Sequence, residues 1–122
     1  MKQKLTGMSV AELVGRFTAL GVGQSQAEIH GGTAGENRLL RQMWKVTDEL
    51  QRRIGDQRSA LLGLYAHPNA QVRLMAAKLT LAIAPVAARE ILQSIKDSKE
   101  QPQAMDAGMC LWTLDQGIFK PT

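Results

Sequence analysis

The sequence predicts an all-α fold: five or six helices, paired and stacked as an α-α superhelix, in a single domain over residues 1–122. Three observations predict it. Residues 67–92, HPNAQVRLMAAKLTLAIAPVAAREIL, open one apolar helix with a Pro-Asn turn and start a second at another proline, which is how a repeat of helix pairs is written. The hydrophobic share is 44% but aromatic residues make up 4%. A core of Leu, Ala, Val, Ile and Met suits closely packed helices better than a sandwich or barrel, whose strands favour aromatic and β-branched residues. No segment shows the two-residue alternation of a half-buried strand.

The first helix begins at Ser9-Val10-Ala11-Glu12, a capping box in which the serine side chain accepts from the third helical N–H and the glutamate reaches back. Val10, Leu13, Val14, Phe17 and Leu20 continue it at helical spacing. Gly15, Gly21 and Gly23 lower its propensity by up to about 1 kcal/mol each relative to Ala, so its second half, down to Ile29, is the weaker part. Residues 31–35, GGTAG, read as a loop. Their spacing matches neither a Walker loop nor a dinucleotide fingerprint, and no strand precedes them.

The longest uninterrupted helix is expected over 36–54, ending at Gly55. Leu39, Leu40, Met43, Val46, Leu50 and Ile54 form its apolar stripe, bordered by Trp44. Arg38, Arg41, Lys45 and Arg52 line up on another side, with Asp48 and Glu49 interrupting the field. Asp56 is placed to cap a short helix over 58–66. Then His67-Pro68-Asn69 turns the chain, because the residue before a proline avoids helical geometry and Asn69 can cap the next helix. That helix, over 70–84, carries Val72, Ala76, Leu79 and Ile83 on one face. Pro85 opens another that runs through Ile91, Leu92 and Ile95 into a polar turn at 96–100. Pro102 begins the last helix, with Ala107, Cys110, Leu111 and Leu114 apolar, and Gly117 stops it so that Ile118 and Phe119 can fold back near Trp112. Pro68 and Pro102 lie 34 residues apart and the apolar positions after them keep nearly that offset, although residue identity across it is poor.

Composition sets the outer bounds. Fifteen Lys and Arg against eleven Asp and Glu give a net charge of +4. This balance permits nucleic-acid binding and is also ordinary for a small soluble protein. Cys110, the one cysteine, excludes an internal disulfide and sits in the apolar run MCLWTL, the setting of a reduced, buried thiol in a cytoplasmic protein. No window approaches the ~18 apolar residues that span a bilayer, and the N-terminus lacks an apolar run of signal-peptide length. His30 and His67 are the two histidines. Without Cys-x-x-Cys or His-x-x-x-His spacing they give no metal signature, and no nucleophile elbow or paired carboxylates point to catalysis. The expectation is therefore a protein with no cofactor and no enzymatic activity.

HPNAQVRLMAAKLTLAIAP resembles a HEAT-like repeat at Asn69, Val72, Arg73, Ala76 and Leu79. Over nearly its full length, through MSVAELVGRF, HPNAQVRLMAAK and DAGMCLWTLDQGIFKPT, the chain also resembles a small bacterial family catalogued as domain of unknown function 2019. The resemblance implies a HEAT-like helical domain and no established activity. By analogy with the ladders of such repeats, Arg73 in one inner helix would reach Asp106 in the next and fix the stacking register, with Asn69 holding the turn. Small HEAT-like DNA glycosylases exist, but they use a longer array around a groove than this chain can supply.

The function expected is a protein-interaction module, a small adaptor or inhibitor-like protein, contacting an unidentified protein partner or a second copy of itself through Arg41, Trp44, Lys45, Gln71 and Lys78. The alternative is nucleic-acid binding through Arg38, Arg41, Lys45 and Arg52. The two differ in chemistry: phosphate contacts weaken steeply with salt, whereas an apolar contact anchored by Trp44 does not.

Overall fold

The computed structural model describes the backbone of residues 4–29 and 33–122 and the side chains of 4–27 and 37–122. Five α-helices run in order: α1 (Val10–Ile29), α2 (Thr33–Arg52), α3 (Ala70–Leu79), α4 (Pro85–Ser98) and α5 (Gln103–Asp115). Short 3-10 segments occupy Leu5–Gly7 and Gln57–Ala66. The described residues contain no strand. Their contacts group the chain into two compact units, Met1–Leu61 and Leu62–Thr122.

In the first unit α1 packs on α2. The capping box forms as its residues dictate: Glu12 N–H donates to Ser9 Oγ at 3.1 Å and Ser9 N–H to Glu12 Oε1 at 3.0 Å. Leu13, Phe17, Met43, Val46 and Leu50 are fully buried. Gly23 lies where the two helices approach, since a Cβ there would meet Leu39 Cδ1 at 3.4 Å. The helix stays intact through its glycines to Ile29.

Both boundaries of α2 differ from expectation. The glycine-rich loop is shorter at its far end, because α2 already begins at Thr33; residues 30–32, His30 among them, lie outside the described residues. At the other end α2 stops at Arg52, before a tight turn in which Gly55 and Asp56 both take positive φ, and Ile54 is 96% exposed instead of completing the apolar stripe. The turn is closed by Asp56, which accepts from the backbone N–H of Arg58 and, bidentately, from its buried guanidinium at 2.9 and 2.6 Å.

In the second unit, α3, α4 and α5 pack around Leu74, Ala77, Leu81, Ala88, Leu92, Ile95, Ala107, Cys110 and Leu111, with Tyr65, Ile91 and Leu114 against them. Asn69 caps α3 as the turn predicts, its Oδ1 accepting from Gln71 N–H at 2.9 Å and Val72 N–H at 3.2 Å. Pro85 sits at the start of α4. The helix expected over 70–84 ends at Leu79, because Thr80 turns its hydroxyl inward to the Ala76 carbonyl and to the Tyr65 hydroxyl, and the chain then winds through a turn before Pro85. Past α5, Gly117 at φ 71° lets the N–H groups of Ile118 and Phe119 return to the Thr113 carbonyl. That closes the helix as predicted, although Ile118 and Phe119 both stay exposed.

Leu92 has no solvent exposure, whereas Val86 on the same helix is largely exposed. Leu92→Ala should cost about 2–5 kcal/mol through lost contacts and a residual cavity, and Val86→Ser within about 0.5 kcal/mol, read as urea unfolding free energies.

Candidate functional site

Three places hold the side chains that the sequence singles out: the outer faces of α2, α3 with the turn before it, and α5.

On α2, Trp44 is 48% exposed, and Arg38, Arg41, Lys45 and Asp48 are exposed as well. Trp44 therefore borders the stripe with its ring toward water and is not part of the core. Glu49, which by sequence interrupts the basic face, is buried. It accepts from Arg52 Nη2 at 3.1 Å and from Arg53 Nε at 2.9 Å. Arg53 also donates to the Leu5 carbonyl at 2.9 Å, tying the N-terminal 3-10 turn to the end of α2. The Arg53 hydrogen bond, aided by the two guanidinium charges, holds the Glu49 carboxyl below the ordinary glutamate range, against the opposing effect of burial. A surface depression beside this cluster is lined by Leu5, Lys45, Asp48, Gln51 and Arg52.

At α3 the expected Arg73–Asp106 ladder does not form. Arg73 Nη1 donates to the carbonyls of His67 and Pro68, at 2.7 and 3.0 Å, so its guanidinium is committed to the turn that precedes its own helix. Asp106 takes Lys78 instead, at 2.9 Å. Lys78 lies five residues, about one and a half turns, beyond Arg73 along α3, and its long stem carries the charge across to α5. Lys78 is thus a half-buried structural partner and not a free contact residue. Gln71 is likewise removed from the surface: it is 6% exposed, and its Oε1 accepts from the buried Gln103 Nε2 at 3.0 Å. A buried amide pair bridges α3 and α5 where the sequence suggested a solvent-facing contact.

Sequence reasoning followed the inward face of α5 and missed the outward one. Met105, Met109 and Trp112 are 67%, 57% and 53% exposed. Their spacing of four and three places them on one side of the helix. Beside them, Gly108 receives the aliphatic stem of Lys96, whose methylenes lie 3.7–3.8 Å from where a Cβ would stand. The acids of α5 are already partnered, Asp106 by Lys78 and Asp115 by Arg89 at 2.9 Å. The Met-x3-Met-x2-Trp spacing was visible in the sequence. With apolar residues on both sides of α5, the pattern alone could not say which side faces the core.

Cys110 is buried, as expected, and burial raises its thiol pKa, which keeps it protonated. Among the described residues no group of three or more His, Cys, Asp or Glu is arranged to hold a metal ion, and no helix is long and apolar enough to cross a membrane.

The sequence profile of the family described as "Domain of unknown function (DUF2019)" matches residues 11–115. No curated protein matches the chain. Among solved structures, the crystal structure of the protein RPA1889 from Rhodopseudomonas palustris CGA009 is 52% identical, with a TM-score of 0.94; the match covers 99% of this chain and 100% of that one.

The ion pairs can be tested separately. Lys78 and Asp106 are both partly exposed, so a double-mutant cycle on their alanine variants should return a coupling below about 1 kcal/mol. The same cycle on Arg73 and Asp106 should return none. Because the Glu49 pKa is depressed in the folded chain, its contribution to stability is full above the ordinary glutamate range and is lost as pH falls below it. Glu49→Gln should lower the urea midpoint at pH 7 and flatten its decline between neutral and acidic pH.

Proposed function

The chain belongs to the family described as Domain of unknown function (DUF2019), and on that premise we propose that it is a small protein-interaction module, adaptor-like or inhibitor-like and without catalysis, whose contact surface is the outward face of α5. The observation that carries this reading is the solvent-facing row Met105, Met109 and Trp112. Apolar side chains in a contiguous exposed row are characteristic of contact surfaces. Methionine is suited to the role because its unbranched, polarizable chain repacks against different partners, and tryptophan is a frequent anchor residue.

The partner we assign is one amphipathic helix of another protein. Three side chains of this size, each about half exposed, offer on the order of 300 Å² of apolar surface, whereas a stable interface hides roughly 800 Å² on each partner. The row alone is too narrow to hold two copies of the chain together, but its i, i+4, i+7 spacing along α5 is a narrow stripe against which one amphipathic helix can pack side by side. With Asp106 and Asp115 neutralised internally, Lys96 stands as the charge beside the row, which favours a partner helix with a carboxylate at its edge.

A stacked, HEAT-like arrangement and a cytoplasmic setting belong to the same proposal, supported by the capped α3 turn and by the protonated, buried Cys110 thiol. Of the contact residues expected from sequence, Arg41, Trp44 and Lys45 remain surface residues, whereas Gln71 and Lys78 have structural partners.

Affinity capture from lysate with nuclease present, comparing wild type with Met109→Lys and Trp112→Ser by quantitative mass spectrometry, tests the proposal. A protein captured stoichiometrically by wild type, resistant to moderate salt and depleted at least tenfold by both variants, is the expected result. Equal capture by all three, with folding confirmed by circular dichroism, would reject the α5 surface.

A further inference from the structure

We infer that the basic face of α2 is a binding surface for single-stranded nucleic acid, with Arg38, Arg41 and Lys45 contacting successive phosphates and Trp44 stacking on an unpaired base. The inference stands on the first unit alone and does not depend on the α5 proposal.

The basic stripe was balanced in the sequence by two acids, Asp48 and Glu49. The structure takes Glu49 away from the surface: it is buried and neutralised by Arg52 and Arg53. Arg38, Arg41 and Lys45 are exposed and, among the described residues, form no ion pair, so three cations face solvent with Asp48 as an opposing charge toward the C-terminal end. Seven residues separate Arg38 from Lys45, about 10 Å along the helix axis. A flexible strand can track such a row, laying phosphates against the cations as it goes.

Trp44 decides the class of nucleic acid. Trp44 lies three positions beyond Arg41 and is 48% exposed, although tryptophan is highly buried on average. An indole face beside a row of cations is the arrangement that binds single strands: the charges hold the backbone and the ring takes a base. In a duplex the bases are already stacked, and one short convex row of cations reaches few of its phosphates. At the C-terminal end of the row, the depression lined by Leu5, Lys45, Asp48, Gln51 and Arg52 gives the strand a concave end point with Lys45 as its cation, unpaired among the described residues.

Fluorescence anisotropy with end-labelled twelve-nucleotide oligo(U) and oligo(dT), and a twelve-base-pair duplex, provides the test. Wild type should bind the single strands at low salt, with log K falling against log salt at a slope of about −2, the value for three phosphates on a single strand. Arg41→Glu with Lys45→Glu should abolish binding. Trp44→Ala should weaken it roughly tenfold and Trp44→Phe should restore most of it, a rescue that lost stability would not produce. Lys99→Glu with Lys120→Glu, which changes net charge equally at exposed sites in the other unit, should bind as wild type does. Absence of binding by folded wild type at low salt would overturn the inference. So would equal loss in the Lys99/Lys120 control, duplex binding as tight as single-strand binding, or indifference to Trp44→Ala. Capture results for Met109→Lys bear on none of these outcomes.

Discussion

The second unit depends on how the backbone and side-chain polar groups at the start of α3 are satisfied. α3 is short and buried along most of its surface, with Val72, Leu74, Ala76 and Ala77 fully enclosed. A helix end with so little water around it must find partners for its first N–H groups inside the protein. The turn supplies them from its own residues. Asn69 accepts from Gln71 and Val72, His67 Nδ1 accepts from the Asn69 N–H at 3.0 Å, and Arg73 reaches back to the His67 and Pro68 carbonyls. Because Arg73 is committed there, Asp106 is left to Lys78 and the α3–α5 register to the Gln71–Gln103 amide pair. With its buried side held by these contacts and by Ala107, Cys110 and Leu111, α5 turns Met105, Met109 and Trp112 to solvent.

Legibility from sequence depended on how local each interaction is. The capping box at Ser9–Glu12, the Asn69 cap, the Pro85 start and the Gly117 stop are set by residues within a few positions of one another, and each forms as read. Helix ends were less legible where a tertiary contact sets them. Nothing near Thr80 in the chain announces that its hydroxyl will meet Tyr65, fifteen residues earlier, and end α3 there. Ile54 fits the α2 stripe by spacing, yet the double positive-φ turn at Gly55 and Asp56 cuts the helix short and leaves it in water.

The candidate surfaces were legible in part, for a related reason. Arg41 and Lys45 are exposed because they lie opposite the buried Met43–Val46–Leu50 stripe of a strongly amphipathic helix, and Trp44 is half exposed at the border of that stripe. The α3 and α5 assignments required knowing which of several polar residues would be committed inward. Gln71 and Lys78 look like surface residues by type, and each is used to bridge to α5. Glu49 is the converse case: its type suggests a solvated charge, but burial beside two arginines removes it from the α2 surface and leaves that face more basic than the composition implies. At both surfaces the structure changes the reading by showing which charges are already used.

Native-state hydrogen exchange at the amides of Gln71 and Val72 tests most directly whether the self-satisfied α3 turn holds the second unit. Both N–H groups lie in the first turn of the helix, where no intrahelical acceptor exists, so their protection depends on Asn69 Oδ1 and on burial of the turn. Opening free energies at these two amides should approach the value for global unfolding, matching the interior of α3. Exchange at the rate of exposed amides, with the middle of α3 still protected, would contradict a structural role for the turn.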